Sequence, residues 1–249
     1  MRRVLVTAGA SGIGRAMAER FARADYAVWV TDVDQAALYD VPSAWQALRA
    51  DASDEAEMAA VFSEIDGPLD ALCANAGIAG PTAPVDQVTI EDWRNCVSVN
   101  LEGAFLAVKH AAAGFKSAGR GAIVFTSSTA GLYGYPNRAP YAAAKWALLG
   151  LMKTVAMELG PFGVRANAIA PGAVEGPRMD GVIAREAQAK SVAASVIAEG
   201  YAAGTSMRTL VSAEDIAEMA FFLASDAAAR VSGQIIAVDG HTENPDPKP

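Results

Sequence analysis

Short runs of apolar, β-branched residues alternate along the chain with longer stretches whose apolar residues recur at helical spacing. Seven of the short runs predict β-strands. They cover residues 4–7, 27–31, 45–49, 71–74, 122–126, 164–170 and 234–238. Regular alternation of strand and helix is typical of a parallel sheet joined by crossover helices. The pattern therefore predicts an α/β fold, a single doubly wound Rossmann-type domain with a seven-stranded parallel sheet and helices on both faces.

Six stretches predict helices, at residues 12–24, 54–65, 90–118, 139–159, about 179–199 and 214–225. In the first of these, Ile13, Met17 and Phe21 recur every four residues, which predicts the stripe that this helix buries. Before the last, Ser212 and Asp215 have the spacing of a capping box, which predicts a helix start there.

The domain organisation follows from the lack of a linker. No stretch rich in Pro, Gly or Ser divides the chain, and 52% of its 249 residues are hydrophobic, enough for one large core. Residues 1–241 are predicted to form one domain. Residues 242–249 contain three prolines among polar groups and are predicted to form a flexible C-terminal tail.

Charge and cysteine content limit the possible partners. A net charge of -8 argues against binding to nucleic acid or an anionic membrane, because both require a basic surface. The two cysteines, Cys73 and Cys96, have no neighbours at metal-ligand spacing, so no metal site is predicted. No signal peptide or run of 18 apolar residues is evident in the sequence. We expect a cytoplasmic protein that acts on small molecules.

The first predicted strand leads into a glycine-rich turn at the start of a helix. Gly9, Gly12 and Gly14 allow the backbone to come close to a pyrophosphate, and the helix start directs free N–H groups at the same anion. Ser11 and Ile13 lie in the same turn. A dinucleotide site is one interpretation of this segment, and an ordinary glycine turn between strand and helix is the other.

Asp32 ends the second predicted strand, about 20 residues beyond the glycine turn, where a carboxylate accepts hydrogen bonds from an adenosine ribose. A carboxylate here repels a 2′-phosphate, and neither Ser11 nor Val33 supplies a cation to neutralise one. The sequence therefore predicts NAD rather than NADP. The alternative role for Asp32 is a helix cap or a solvated turn.

Further motifs follow in a fixed order along the chain. They are Thr7–Gly14, Asp51 with Ala52, Asn75-Ala76-Gly77, Asn100, Ser128, Tyr141 with Lys145, Pro171-Gly172, Glu214–Ala217, Ser232–Gln234 and Asp239-Gly240. From Val4 to Gly240 the chain resembles the short-chain dehydrogenase/reductase family. Its TGxxxGxG turn, NAG motif, catalytic serine, YxxxK pair and PG motif correspond to these segments.

The resemblance implies a role for each of these residues. Catalysis would rest on Asn100, Ser128, Tyr141 and Lys145. Cofactor contacts would come from Gly9, Ser11, Gly12, Ile13, Gly14, Asp32, Asp51, Ala52, Asn75, Ala76, Gly77, Tyr141, Lys145, Pro171, Gly172 and Val174. Lys145 would also hold the nicotinamide ribose, and Asn100 would hold a water for proton relay.

Three positions depart from the family pattern. Ala8 replaces the first glycine of the turn, and we expect Gly9 beside it to absorb any left-handed conformation. Gly176 stands where the family often has a threonine that contacts the carboxamide of nicotinamide, so that contact is not carried over. His241 replaces the second glycine of a C-terminal pair.

The chemistry expected of Tyr141 is that of a general base for an alcohol proton. Tyrosine ordinarily has a pKa near 10, and ionisation near neutrality requires a stabilisation of roughly 4 kcal/mol. A single ammonium about 4 Å away supplies about 4 kcal/mol at an effective dielectric near 20. Tyr141 and Lys145 are four residues apart, which places them on one face of a helix. Ser128 is expected to hold the substrate oxygen beside Tyr141.

Substrate contacts are predicted from Ser128, Tyr135, Tyr141 and Arg178. By resemblance, a segment at about residues 173–211 covers the substrate. A cation there would select an anionic substrate, although a solvated charge on the helix face is the favoured explanation of Arg178. Tyr133, Trp146 and Met179 are further candidates for the pocket wall, or for core packing.

The predicted function is hydride transfer between NAD and a secondary alcohol or ketone, with a small polyol, sugar-derived or hydroxy-acid substrate. One alternative is a 3-oxoacyl-thioester (acyl carrier protein) reductase, which fits poorly with Asp32. Another is an NAD-sensing binding protein without activity. The long apolar helices near residues 104–115 and 141–157 resemble the family's subunit interface, so a homotetramer is expected.

Overall fold

A seven-stranded parallel sheet forms the centre of the part of the protein, residues 1–245, that the computed structural model describes. Its strands are β1 (Arg3–Thr7), β2 (Ala27–Asp32), β3 (Gln46–Arg49), β4 (Ala71–Ala74), β5 (Gly121–Thr126), β6 (Val164–Pro171) and β7 (Ile235–Val238). Their order across the sheet is β3-β2-β1-β4-β5-β6-β7, and every neighbouring pair is parallel. The predicted fold class is confirmed, with strand ends shifted by a residue or so.

Helices cover both faces of this sheet. They are α1 (Gly12–Ala22), α2 (Gln35–Tyr39), α3 (Glu55–Glu64), α4 (Ile90–Val97), α5 (Gly103–Ala118), α6 (Ala139–Leu159), α7 (Pro177–Lys190), α8 (Ala194–Ala203) and α9 (Ala213–Ala224). The predicted capping box of α9 is confirmed, because Ser212 and Asp215 each accept from the other's backbone N–H.

Two hydrophobic clusters pack on opposite faces of the sheet. One joins α3, α5 and α6 to it through buried side chains such as Met58, Phe115 and Met152. The other joins α1 and α9 to it through Met17, Phe21 and others. Burial of a large apolar side chain contributes about 1.5–3 kcal/mol, so these two layers hold the strand ends in fixed positions.

The predicted helix 90–118 is one continuous stretch, but a π-helical turn (Ser98–Glu102) interrupts its regular winding between α4 and α5. Such turns contain one extra residue and are frequent at functional sites. Here the turn carries Asn100, whose side chain is fully buried.

The prediction of one helix at about 179–199 is wrong. Two helices, α7 and α8, occupy residues 177–203, because Ser191 has a left-handed φ of 55° that ends α7. The short helix α2 was not predicted. Its N-cap is Asp34, whose side chain accepts hydrogen bonds from the backbone N–H groups of Ala36 and Ala37.

The first residues of the predicted tail, 242–244, are hydrogen-bonded to the rest of the protein. Thr242 bridges to Thr205, and the N–H groups of Glu243 and Asn244 both donate to the Gly204 carbonyl. The ordered chain therefore continues past the predicted boundary at residue 242. Residues 246–249 of the predicted tail lie outside the described part of the chain.

Candidate active site

A cavity of about 530 Å³ opens at the carboxyl ends of the strands. It lies where the strand order reverses, between β1 and β4, the usual ligand site of a doubly wound sheet. All the predicted site residues line this cavity except Gly9 and Asn100. The structure thus brings together side chains that are up to about 170 positions apart in the sequence.

The glycine turn forms one end of the cavity. Gly12 has a left-handed φ of 51° and open space beside it, and it begins α1, whose first N–H groups have no intrahelical partner. A Cβ on Gly14 would stand 2.0 Å from the Ala8 carbonyl oxygen, so only glycine fits there. These features suit a pyrophosphate at the helix start.

The expectation for Ala8 and Gly9 is wrong. Ala8 itself has the left-handed φ, at 51°, while Gly9 does not. Gly9 does not line the cavity; it packs against β2, where a Cβ would stand 2.7 Å from Val30 Cγ1. Glycine is therefore required at position 9 by packing, and the backbone strain of the turn falls on Ala8.

Asp32 lies at the end of β2 with its carboxylate held by two backbone groups. Ala10 N donates to Oδ2 at 3.3 Å, and Asp34 N donates to Oδ1 at 3.1 Å. Val33, next in the chain, is 56% exposed at the same end of the cavity and carries no charge. Helix α2 is capped by Asp34, so Asp32 is not the helix cap.

Asp51 and Ala52 line the cavity beyond β3. The Asp51 carboxylate accepts from both the backbone and the hydroxyl of Ser53, and its own N–H donates to Glu57. These bonds fix the turn before α3. Ala52 also packs against Gly103, where a Cβ would stand 3.2 Å from it.

Asn75 ties β1 to β4 below the cavity. Its Nδ2 donates to the carbonyls of Thr7 and Ala8, and its backbone N–H donates to Thr7 Oγ1. The neighbouring Ala76 N–H donates to the same hydroxyl. Through these bonds the NAG segment holds the glycine turn in place.

Tyr141, Lys145 and Ser128 meet at the other end of the cavity. Tyr141 and Lys145 lie one turn apart on α6, with Lys145 Nζ 5.7 Å from the centroid of the Tyr141 ring. Lys145 is 2% exposed, and its Nζ donates to the Thr126 carbonyl at 2.8 Å. Ser128 Oγ accepts from Ala130 N, which leaves its hydroxyl hydrogen free to bond Tyr141.

Opposing effects act on the Tyr141 hydroxyl. Burial raises its pKa, but the charge of Lys145, the charge of Arg178, the hydrogen bond from Ser128 and the charge of Arg138 lower it, and the net pKa is below the usual value. The pKa of Lys145 is lowered mainly by burial, and the charge of Tyr141 opposes this. A phenol that ionises more readily than usual suits a general base.

Asn100 lies behind the cavity wall. Its Nδ2 donates to the carbonyls of Ile78 and Cys96, while Oδ1 is buried with no hydrogen-bond partner. A Cβ on Gly77 would stand 2.5 Å from this oxygen and 3.3 Å from Lys145 Nζ. Gly77 therefore leaves space between a buried acceptor and a buried cation, which fits the predicted role of holding a polar molecule.

The segment after β6 forms the outer wall. Pro171, Gly172 and Val174 line the cavity, and Gly176 has a φ of 124° just before α7. Most L side chains avoid that conformation, so the backbone at this point favours glycine over threonine.

The predicted substrate residues lie at this end too. Arg178 is exposed on α7, and its guanidinium donates to the Gly77 carbonyl at 3.1 Å. Tyr135 is half-buried, and its hydroxyl bonds Thr129 Oγ1 at 3.0 Å. Met179 also lines the cavity, but Tyr133 and Trp146 do not, because both are exposed on the outer surface.

Sequence reasoning missed Arg138 and Tyr201, which also line the cavity. The guanidinium carbon of Arg138 lies 4.7 Å from the centroid of the Tyr141 ring, and its Nη2 donates to the Ala79 carbonyl. Arg138 lies three residues before Tyr141, and this spacing could have indicated its place in the site. No pattern in the sequence indicates that Tyr201 on α8 lines the cavity.

The cavity fits a nicotinamide dinucleotide. One end has the glycine turn and the carboxylates of Asp32 and Asp51, and the same cavity continues to Ser128, Tyr141 and Lys145.

Within residues 1–245, no group of three or more His, Cys, Asp or Glu side chains could hold a metal. The same residues include no helix long and apolar enough to cross a membrane.

Known proteins with similar sequences support this assignment. Residues 7–241 match a family described as enoyl-(acyl carrier protein) reductase. The cis-4-hydroxycyclohexanecarboxylate dehydrogenase of Sinomonas cyclohexanicum is 38% identical over 248 residues, which are 96% of this chain and 95% of that protein. Levodione reductase of Leifsonia aquatica is 34% identical over 251 residues, 96% of this chain and 93% of that protein.

Solved structures agree. A crystal structure of NAD+-bound xylitol dehydrogenase superimposes with a TM-score of 0.92 at 27% identity, covering 96% of this chain and 98% of that one. The chain therefore belongs to the short-chain dehydrogenase/reductase family, and it is an oxidoreductase that uses a nicotinamide cofactor.

Proposed function

We propose that this protein is an NAD-dependent dehydrogenase that interconverts a small secondary alcohol and its ketone, with Tyr141 as the catalytic base. The observation that carries the proposal is the cluster at the end of the cavity. There a buried lysine and a serine act on one tyrosine hydroxyl, and the net effect is a lowered pKa. That hydroxyl lines the same cavity as the glycine turn.

In the oxidation, the substrate hydroxyl lies between Ser128 and Tyr141. The Ser128 hydroxyl donates to the substrate oxygen, and the Tyr141 phenolate takes the hydroxyl proton as the ketone forms. Bound nicotinamide would supply the redox chemistry as a hydride acceptor or donor. In the reduction, Tyr141 returns its proton to the ketone oxygen.

Lys145 and Asn100 support Tyr141 from behind. The buried ammonium of Lys145 stabilises the phenolate, and its Nζ is held by the Thr126 carbonyl. Asn100 offers an unpartnered oxygen near that ammonium. This arrangement suits a proton path from Tyr141 past Lys145 to Asn100.

The choice of NAD rests on Asp32. Its carboxylate lines the cavity beside the uncharged Val33, where an adenosine ribose would lie, and it would repel a 2′-phosphate. Among the similar proteins, a structure is described as NAD+-bound, which agrees with this choice.

The substrate class is proposed from the site and from the relatives. Similar proteins are named for a hydroxycyclohexanecarboxylate, for levodione and for xylitol. These names support a small hydroxy acid, ketone or polyol. A 3-oxoacyl thioester is the competing substrate, and it is disfavoured by Asp32, because such reductases usually prefer NADPH.

We further propose a homotetramer built through α5 and α6. Phe105 on α5 and Trp146 and Met157 on α6 are large apolar residues with 48%, 52% and 79% of their surface exposed. Light scattering of the purified protein tests this: a monomer would contradict it.

The two free, buried thiols support the expected cytoplasmic location.

The decisive experiment measures NADH absorbance for a panel of cyclic hydroxy acids, polyols and a 3-oxoacyl thioester, each with NAD(H) and NADP(H). We expect turnover of a secondary alcohol with NAD and a loss of about 10²- to 10⁴-fold in Tyr141→Phe. Tyr133→Phe, which changes an exposed tyrosine outside the cavity, is the matched control. Equal activity of Tyr141→Phe and the parent protein would contradict the mechanism.

A further inference from the structure

Two arginines, Arg138 and Arg178, converge on the substrate end of the cavity from different elements. Arg138 precedes α6, and Arg178 lies in the first turn of α7. Their guanidinium groups are held by carbonyl oxygens of one short segment, since Arg138 donates to Ala79 and Arg178 donates to Gly77. Two cations from distant parts of the chain are thus fixed against the same strand end.

Neither arginine has an acidic partner within residues 1–245. Other arginines of the described chain, such as Arg2, Arg15 and Arg20, form ion pairs with carboxylates. Arg138 Nε is buried with no hydrogen-bond partner. Each guanidinium carries five N–H donors, and each uses one of its Nη atoms on a carbonyl, so donors remain for a ligand.

Two of the acidic residues that line the cavity lie at its other end. Asp32 and Asp51 line the end that suits adenosine, beyond the glycine turn. Glu175 also lines the cavity, at the exposed outer wall, while the charges of Arg138 and Arg178 both lower the pKa of Tyr141. Two arginine charges therefore act on the reacting hydroxyl in addition to that of Lys145.

Apolar side chains form part of the wall at this end. Val99, Met179 and Val182 supply apolar wall. The hydroxyl of Tyr135 is engaged by Thr129, and that of Tyr201 donates to Glu186 at 2.7 Å. Both tyrosine hydroxyls thus already have a partner in the protein, whereas the two guanidinium groups keep free N–H donors.

We infer that Arg138 and Arg178 bind a carboxylate of the substrate, so that the enzyme selects hydroxy acids with an apolar body and a carboxylate remote from the reacting carbinol. This inference rests on the proposed function and narrows its substrate class. Planar guanidinium groups match the planar carboxylate with paired hydrogen bonds. Both arginines are specificity residues rather than proton carriers.

The test compares matched substrates that differ only in charge. We propose 4-hydroxycyclohexanecarboxylate against its methyl ester, with NAD, in the parent protein and in Arg138→Gln and Arg178→Gln. We expect kcat/KM for the acid to fall by about 10- to 100-fold in each variant, mainly through KM, with the ester much less affected. Because both substrates use Tyr141, an effect of either arginine on that residue changes both substrates alike.

Two variants serve as controls. Arg185→Gln removes an exposed arginine of α7 that does not line the cavity, and it should leave the acid-to-ester ratio unchanged. Arg138→Lys keeps the charge and should restore part of the preference for the acid. An acid-to-ester ratio that is the same in Arg138→Gln, Arg178→Gln and the parent would overturn the inference while the dehydrogenase function stands.

A binding measurement separates the two proposals. Calorimetric titration with cyclohexanecarboxylate, its carboxamide and cyclohexanesulfonate needs no turnover. We expect the carboxylate to bind most tightly and to lose affinity in both arginine variants. Equal binding of the carboxamide, or tighter binding of the sulfonate, would overturn the carboxylate assignment. Lack of turnover of any alcohol with NAD, with carboxylate binding intact, would instead contradict the proposed function alone.

Discussion

The side-chain oxygen of Asn100 lies 2.5 Å from the point at which Gly77 would carry a Cβ. Asn100 cannot easily move away, because its Nδ2 is held by the carbonyls of Ile78 and Cys96. In Gly77→Ala, the new methyl group would displace the Asn100 amide and crowd Lys145. Since small misplacements of catalytic groups are costly, we expect kcat to fall by about 100-fold, with the fold retained.

Steady-state kinetics and circular dichroism check this prediction. The control is Gly134→Ala, where a Cβ would meet nothing within 4 Å and the backbone has no left-handed φ. That variant should keep the parent activity. If Gly77→Ala were as active as Gly134→Ala, the space between Asn100 and Lys145 would have no role.

The pH profile of oxidation reports the state of Tyr141. Phenolate is the reactive form, so kcat/KM rises with pH and levels off once Tyr141 is ionised. Although burial raises the pKa of Tyr141, the charge of Lys145 and other groups lower it overall. Lys145→Met removes this charge, so the pKa of Tyr141 rises and the ascending limb moves to higher pH.

The matched control for the pH experiment is Lys153→Met. Lys153 lies on the same helix, but it is exposed and donates to the Gly233 carbonyl outside the cavity. Its removal should leave the profile unchanged. An ascending limb at the same pH in Lys145→Met and the parent would mean that another group titrates.

The sheet and most helices could be predicted from the sequence because local signals and the fold agree. Strands β1, β4 and β5 are apolar runs, and α9 begins at a capping box. The break between α7 and α8 gives no such signal, since Ser191 is neither glycine nor proline and adopts its left-handed φ in the folded chain. The π-helical turn at Asn100 likewise has no signal in the sequence that would predict it.

In the candidate site too, local motifs could be predicted from the sequence, whereas contacts made by the fold could not. Residues in motifs, such as Tyr141 and Lys145, were found because their spacing is local. The convergence of Arg138 with Arg178 depends on the fold, which brings α7 and the start of α6 against the end of β4. The sequence also could not show that position 9 requires glycine for packing. That requirement comes from β2, which leaves no space for a side chain there.

Asp32 is expected to control the choice between NAD and NADP. Asp32→Ala removes the carboxylate at the ribose end of the cavity, so the ratio of kcat/KM for NADP to that for NAD should rise by at least about tenfold, or about 1.4 kcal/mol. Asp34→Ser is the control, because it removes a neighbouring carboxylate outside the cavity and keeps a helix-capping residue. An unchanged ratio in Asp32→Ala would contradict the assignment.

Ala8 carries backbone strain that glycine would relieve. Its φ of 51° lies in the left-handed region, which costs an L-residue about 1–2 kcal/mol, while glycine loses about 0.5–1 kcal/mol in backbone entropy on folding. We therefore expect Ala8→Gly to raise the free energy of unfolding by about 0.5–1 kcal/mol, as measured by urea denaturation. The control is Ala10→Gly in the same turn. Ala10 is buried and has no left-handed φ, so this change should destabilise the protein. If both variants were destabilised, the conformation of Ala8 would carry no strain.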